Sequence, residues 1–175
     1  MLTALDPQLR STVASTERFD AIVQLPFAFV GVRTCDGCVN EIRFLPDEVQ
    51  AKAPANALAR HVVDQLLAYC ADSSTPIDLP LAVEGTDFQR RVWDQIACIP
   101  PGSTATYGEL ARRLNGEARA VGQACGDNRL PLAIPCHRVV AASGIGGFSH
   151  HRGGAYEGIK RWLLLHEAGS ELRLT

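Results

Sequence analysis

Asp36-Gly37 is the feature that most restricts how the first half of this chain can fold. Residues 27–34 and 39–45, on either side of it, both read as strand-like pieces. An Asp-Gly pair tolerates the positive φ that a two-residue hairpin turn demands. The two runs must therefore fold back on each other, and 19–25 reads as a third strand-like piece. Residues 55–70 change rhythm, with apolar side chains at 58, 62, 63, 66, 67 and 70. That spacing predicts a helix with one face on the small sheet. Residues 71–80, rich in Asp, Ser, Thr and Pro, read as a linker.

The second half is punctuated differently. Thr86-Asp87-Phe88-Gln89 and Thr106-Tyr107-Gly108-Glu109 both have the spacing of a capping box and predict two helix starts. The first helix runs to about Cys98 and is stopped by Pro100-Pro101-Gly102. The second runs through Leu114, breaks at Asn115-Gly116, and is followed by another over 117–125. Two short helices joined by an Asn-Gly turn suggest a helix-turn-helix. A Pro-containing loop, 127–135, leads to Val139-Val140, whose β-branched pair implies a strand, and 156–168 returns to helical spacing. The predicted fold class is mixed α/β of the α+β kind. A sheet-plus-helix domain, 1–80, precedes a mainly helical domain, 81–175.

Charge is partitioned along the chain. The net charge is −2, but residues 1–80 carry ten acidic and six basic side chains, whereas 81–175 carry nine and eleven. Within 88–152 there are eight Arg, four acids and no Lys, a stretch suited to forked hydrogen bonds with phosphates. The six cysteines are scattered, which fits a reducing compartment better than a disulfide scaffold. The first 30 residues lack the pattern of a cleaved leader and no run reaches membrane-spanning length, so the expected location is the cytosol or nucleoid.

Few residues could do chemistry. Cys136 lies between Pro135 and His137-Arg138, where positive charge could favour a thiolate; the plain alternative is an inert buried cysteine. His137 is either a base or an ordinary hydrogen-bonded histidine, and on a regular strand it would point away from Cys136, so a bend or a bridging water is required. Glu167 falls on the apolar stripe of the last helix, where a carboxylate needs a backbone group, an imidazole or an arginine as partner. Arg119, at the start of the helix over 117–125, is either a surface charge or a DNA contact. Cys35 and Cys38 flank the hairpin turn without the second pair a structural zinc site needs, so no metal is expected.

Pro135-Cys136-His137-Arg138-Val139-Val140 resembles the active-site motif of the O6-alkylguanine-DNA alkyltransferases, also called methylated-DNA–protein-cysteine methyltransferases. The resemblance extends over Phe88-Gln89-Arg90-Arg91-Val92-Trp93, Pro101-Gly102, Thr106-Tyr107, Ala118-Arg119-Ala120-Val121-Gly122, Asn128, Ile134 and Trp162-Leu163-Leu164 with His166-Glu167. It covers the C-terminal half almost throughout.

The resemblance implies suicidal repair of O6-alkylguanine in double-stranded DNA, with O4-alkylthymine as a further candidate substrate, and no cofactor. Cys136 matches the alkyl acceptor, His137 the base acting through water, and Glu167 the group orienting it. Arg119 matches the arginine that fills the place of a flipped nucleotide in the minor groove, and Tyr107 the tyrosine at guanine N3. Asn128 matches the brace of the loop before the nucleophile, and Gln89 falls at a DNA-backbone position. Carbonyls of Cys136 and Val139 match acceptors for the guanine amine, and Ser149 the O6 contact. The sequence departs from the family pattern at Phe148, at Arg129, and in an expanded stretch over 149–154. Two rivals stand beside this expectation: a lesion-binding sensor without repair, which lacks the acceptor cysteine, and a cysteine hydrolase. A monomer without membrane contact is expected.

Overall fold

The computed structural model describes residues 16–151 and 154–169. Part of the 149–154 expansion therefore lies outside the described residues, as do the first fifteen positions. Strands β1 (Ala21–Leu25), β2 (Ala28–Cys35) and β3 (Cys38–Leu45) form an antiparallel sheet in that order. Asp36 and Gly37 turn with φ of 50° and 77°, and Cys35 pairs with Cys38 across them, as the hairpin signal requires. Helix α1 (Ala57–Ala71) is capped by Asn56, whose side chain accepts from the Ala59 amide, and buries Ala59, Val62, Leu66 and Tyr69. Val30 and Val32 of β2, opposite Phe44 and Ile42 of β3, share its core.

The other face of the sheet is closed by a smaller cluster of Phe19, Ile22 and Val49. Gly31 makes this possible, because a Cβ there would lie 2.8 Å from the Phe19 ring. The linker is not a free tether along its whole length. Val39 N–H donates to Pro80 O at 2.7 Å and Ala82 N–H to Val39 O at 2.9 Å, so residues 80–82 lie along the edge of β3.

Helices α2 (Asp87–Ala97) and α3 (Tyr107–Leu114) each begin with the reciprocal capping box read from the sequence, built on Thr86 with Gln89 and on Thr106 with Glu109. Asn115 ends α3 in the left-handed conformation, φ 52°, and Gly116 N–H returns to Ala111 O at 2.9 Å. After this turn α4 (Ala118–Gly126) packs on both α2 and α3, and Trp93 Nε1–H donates to the Ala124 carbonyl at 2.8 Å. Strand β4 (Ala105–Thr106) runs parallel to β5 (Val139–Val140). Helix α5 (Gly154–Glu167) packs against the turn just before β5. One continuous core includes Val30, Leu66, Val92, Leu110 and Leu163, and so joins sheet, α1 and the later helices.

Gly31→Ala should lower stability by about 1–3 kcal/mol, the usual range for a side chain forced into a filled core. Urea unfolding of the two proteins measures this, and an unchanged midpoint would mean that the Phe19 ring moves aside freely.

Candidate active site

Cys136, His137 and Arg138 form one turn of 3-10 helix between the loop that follows α4 and strand β5. This is the bend that a regular strand could not supply: strand geometry begins only at Val139. Pro135 opens the turn and Val139 N–H closes it on the Cys136 carbonyl. The thiol is buried, with the residue 3% exposed. Asn128 Nδ2 donates to the sulfur at 3.2 Å and to Ile134 O at 2.9 Å, while Asn128 Oδ1 accepts from Leu130 N–H at 2.9 Å. A single amide thus fixes the loop and the nucleophile together.

Glu167, at the end of α5, satisfies all three kinds of partner the sequence allowed. Its carboxylate lies 2.8 Å from His137 Nε2, accepts from Arg138 through Nε at 2.9 Å and Nη2 at 2.9 Å, and takes the Gly102 N–H at 3.3 Å. Tyr69 from α1 adds its hydroxyl at 2.8 Å. Burial alone would raise the Glu167 pKa, but the hydrogen bonds from His137 and Arg138 outweigh it and hold the carboxyl far below its usual range. Because a carboxylate only accepts, the proton of neutral His137 sits on Nε2. Nδ1 is then the basic nitrogen, and it is buried with no hydrogen-bond partner among the described residues.

The charge beside the sulfur differs from expectation in origin. Arg138 is spent on Glu167 and on the Ile99 carbonyl, and does not serve the thiol. Burial pushes the Cys136 pKa up, opposed by the Asn128 hydrogen bond and by the charge of Lys160. Lys160 is fully buried, and its ammonium donates to Val139 O at 2.6 Å, Gly147 O at 2.9 Å and the Tyr107 hydroxyl at 3.5 Å. Burial pulls its pKa down to about 8. Sequence reasoning missed Lys160, Tyr69 and Gly102. Lys160 follows Ile159 on the inward stripe of α5, and a charged residue there was the available signal.

An open cleft of about 600 Å³ reaches Cys136. Tyr107 and Arg119 line it together with Cys125, Ser149 and residues of α4. The sequence-predicted Cys136, Tyr107, Arg119 and Ser149 thus share one cavity, with His137, Glu167 and Asn128 behind its wall. Val139 stands on β5 with its carbonyl already held by Lys160. Gln89 is outside the cleft: its side chain accepts from Thr86 N–H and donates to Asp127 Oδ2, both at 2.8 Å. Cys35 and Cys38 are free thiols at the hairpin, and no group of three metal-ligating side chains occurs among the described residues. No helix of those residues is long and apolar enough to cross a membrane.

Residues 87–169 match the family described as 6-O-methylguanine DNA methyltransferase, DNA binding domain. The methylated-DNA–protein-cysteine methyltransferase of Mycobacterium tuberculosis is 51% identical over 84 residues, 47% of this chain and 51% of that protein. Its counterpart from Methanosarcina mazei is 44% identical over 108 residues, 58% of this chain and 68% of that protein. The crystal structure of the M. tuberculosis O6-methylguanine methyltransferase has a TM-score of 0.72 at 32% identity, covering 87% of this chain and 93% of that one. A structure of M. tuberculosis OGT in complex with DNA gives 0.71 at 34% identity, covering 85% and 92%. The chain belongs to the methylated-DNA–protein-cysteine methyltransferase family. Its match spans about half the length of the first of these curated relatives.

The pH dependence of folding should report the buried imidazole. Burial lowers the His137 pKa, with Glu167 opposing, so the folded state keeps it neutral, whereas the unfolded chain takes up a proton near pH 6.5. Below that pH the unfolded state binds more protons, and stability falls as the solution is acidified. Glu167 is lowered too, so its contribution is complete above its ordinary value near 4.5 and is lost only at lower pH. Between pH 7 and about 5.5 the unaltered chain should lose roughly 1 kcal/mol more than His137→Gln, measured by urea unfolding at both pH values. Equal losses would show that His137 is already charged in the fold.

Proposed function

We propose that this chain repairs double-stranded DNA by moving the alkyl group of O6-alkylguanine, once and irreversibly, to the sulfur of Cys136. What supports this best is the convergence in one open cleft of a Cys136 thiol backed by the His137–Glu167 pair with Tyr107 and Arg119 on its walls. The family membership and the DNA complex of a relative point the same way. O4-alkylthymine is a secondary substrate of the same chemistry. No diffusible cofactor takes part, and the protein acts as a monomer in the cytoplasm, at the nucleoid when bound.

The damaged nucleotide must leave the stack to reach a buried sulfur. Helices α3 and α4 act as a helix-turn-helix, Arg119 fills the vacated place, and Gln89 exchanges its Asp127 contact for the DNA backbone. The base enters the cleft with its amine toward the Cys136 and Val139 carbonyls, each of which has a second lone pair beyond its present donor. Ser149 faces O6. The thiol proton passes through a water to His137 Nδ1, and the Glu167 carboxylate stabilises the resulting imidazolium. The sulfur attacks the alkyl carbon, the C–O bond breaks with its electron pair going to the purine, and the Tyr107 hydroxyl supplies a proton at N3. Asn128 holds the sulfur in line. In this scheme residues 81–175 form the DNA-binding and transfer domain, and residues 1–80 a domain that braces it.

Duplex carrying methyl-labelled O6-methylguanine should transfer at most one equivalent of label to the protein, all on Cys136, and none to Cys136→Ala. Repeated turnover, or label on the Cys136→Ala protein, would overturn the proposal. Arg119→Ala should lose transfer from duplex by about tenfold or more while its thiol still reacts with free O6-alkylguanine base, because only the duplex substrate requires extrusion. Equal losses on both substrates would remove Arg119 from that role. Glu167→Gln should slow transfer at neutral pH, and an unchanged rate would leave Glu167 with a structural task alone.

A further inference from the structure

Two thiols line the cleft, and alkyl transfer uses one of them. Beside Cys136 the second is Cys125; Cys35 and Cys98 are exposed, and Cys38 and Cys70 are partly buried away from the cleft. Cys125 sits in the last turn of α4 and is buried, 7% exposed. After α4 the chain doubles back, with Ile134 N–H donating to Leu130 O at 2.8 Å and Asn128 Nδ2 to Ile134 O at 2.9 Å. Asn128 joins the two cysteines: its backbone N–H donates to the Cys125 carbonyl at 3.3 Å and its side-chain amide to the Cys136 sulfur at 3.2 Å.

The two sulfurs also share one electrostatic environment. Burial raises the pKa of each thiol, and the charge of Lys160 opposes that rise at both. Negative charge on Cys136 raises the Cys125 pKa further. Burial likewise raises the pKa of the Tyr107 hydroxyl, and charge on either sulfur adds to it. A buried cysteine in a helix is ordinarily an inert packing residue. Cys125 differs in lining an open cleft together with a sulfur that the chain needs intact. A cleft of about 600 Å³ admits a molecule as small as hydrogen peroxide. A thiol taken past sulfenic acid is not recovered by thiol reductants.

We infer that Cys125 is the resolving thiol for Cys136: once a hydroperoxide has oxidised Cys136 to a sulfenic acid, Cys125 closes a reversible disulfide on it and preserves the sulfur. Hydrogen peroxide takes the Cys136 thiol to the sulfenic acid with release of one water. The Cys125 sulfur then attacks that sulfur, its proton leaves with the sulfenic hydroxyl as a second water, and the S–S bond forms. Two equivalents of a small thiol reverse this by exchange and end as their own disulfide. Transient disulfides of this kind are the ones that occur in reducing compartments. The attack is intramolecular, so the fixed proximity of the partner offsets a small thiolate fraction at Cys125. While the bond lasts, alkyl transfer is off. That consequence rests on the repair function proposed above; the bond itself does not.

Exposure of the unaltered chain to hydrogen peroxide, followed by tryptic digestion without reductant, tests this. Cleavage after Arg119, Arg129 and Arg138 separates the two cysteines. The bond then appears as peptides 120–129 and 130–138 joined, about 2 Da lighter than their reduced sum. Transfer from duplex carrying labelled O6-methylguanine should fall as this species accumulates, and dithiothreitol should restore it to nearly the unoxidised extent. In Cys125→Ser and Cys125→Ala, each measured against its own unoxidised rate, the same exposure should cause a loss that dithiothreitol does not restore. Cys136 should there gain about 32 Da as the sulfinic acid. Recovery in both variants to within about twofold of the unaltered chain overturns the inference and leaves the repair function standing, as does absence of the joined peptides from the treated unaltered chain. If the unoxidised chain transfers no label, the repair function falls, and the joined peptides still decide the inference.

Discussion

The buried pair of Glu167 and Arg138 is the constraint on which the rest of the site depends. Two charges this deep cost several kcal/mol each to remove from water, and their attraction repays that only when the remaining hydrogen-bonding positions are filled. Here they are filled. The guanidinium forks onto the carboxylate and reaches the Ile99 carbonyl, and the carboxylate also takes Tyr69, His137 and the Gly102 amide. The same saturation keeps Glu167 ionised, and an ionised Glu167 allows His137 one tautomer only. The basic nitrogen of the imidazole is therefore decided by an arginine that never touches it.

The knot also explains why the N-terminal sheet and α1 matter to a site built from later residues. Tyr69, on α1, donates to Glu167, and its carbonyl lies 2.8 Å from His166 Nε2. Ile42 N–H of β3 donates to Arg129 O at 2.9 Å, next to Asn128. The sheet thus supports the loop that grips the sulfur, while α1 supports the carboxylate that orients the base. Loosening either would act on the relay through position and not through chemistry, because none of these groups reaches the cleft.

Local signals in the sequence were strong where one residue type answers one geometric demand. Asp36-Gly37, the boxes on Thr86 and Thr106, and Asn115-Gly116 marked turns and caps that the structure has at those positions. Glu167 was recognisable as a carboxylate needing partners, though not which ones, since Arg138, Tyr69 and Gly102 meet it from 29, 98 and 65 residues away. The 3-10 turn at Cys136 was legible only as a requirement that regular strand be broken. Lys160 escaped because a lone lysine in a helical stretch reads as surface, and its burial is decided by two carbonyls, Val139 and Gly147, that the fold brings to it. The resemblance gives Gln89 a place at the DNA backbone; in this structure the capping box takes its oxygen and Asp127 its amine.

A buried cysteine whose pKa is raised looks unsuited to nucleophilic attack, yet the arrangement suits the single, irreversible transfer proposed above. A standing thiolate would be open to any soft electrophile or oxidant that entered the cleft, and each such event would consume a molecule. Burial keeps the sulfur protonated, while Asn128 and the Lys160 ammonium lower the cost of ionising it. In the proposed reaction the thiol loses its proton to His137 only when the base arrives, displaces solvent and brings its carbon in line. The lysine adjusts the same balance from the other side: its pKa is pulled down to about 8 by burial, and its charge acts on the sulfur while that of Arg138 is taken up by Glu167. In that scheme reactivity belongs to the filled cleft rather than to the free protein, and selectivity for the lesion would follow from the same burial that keeps the resting thiol protonated.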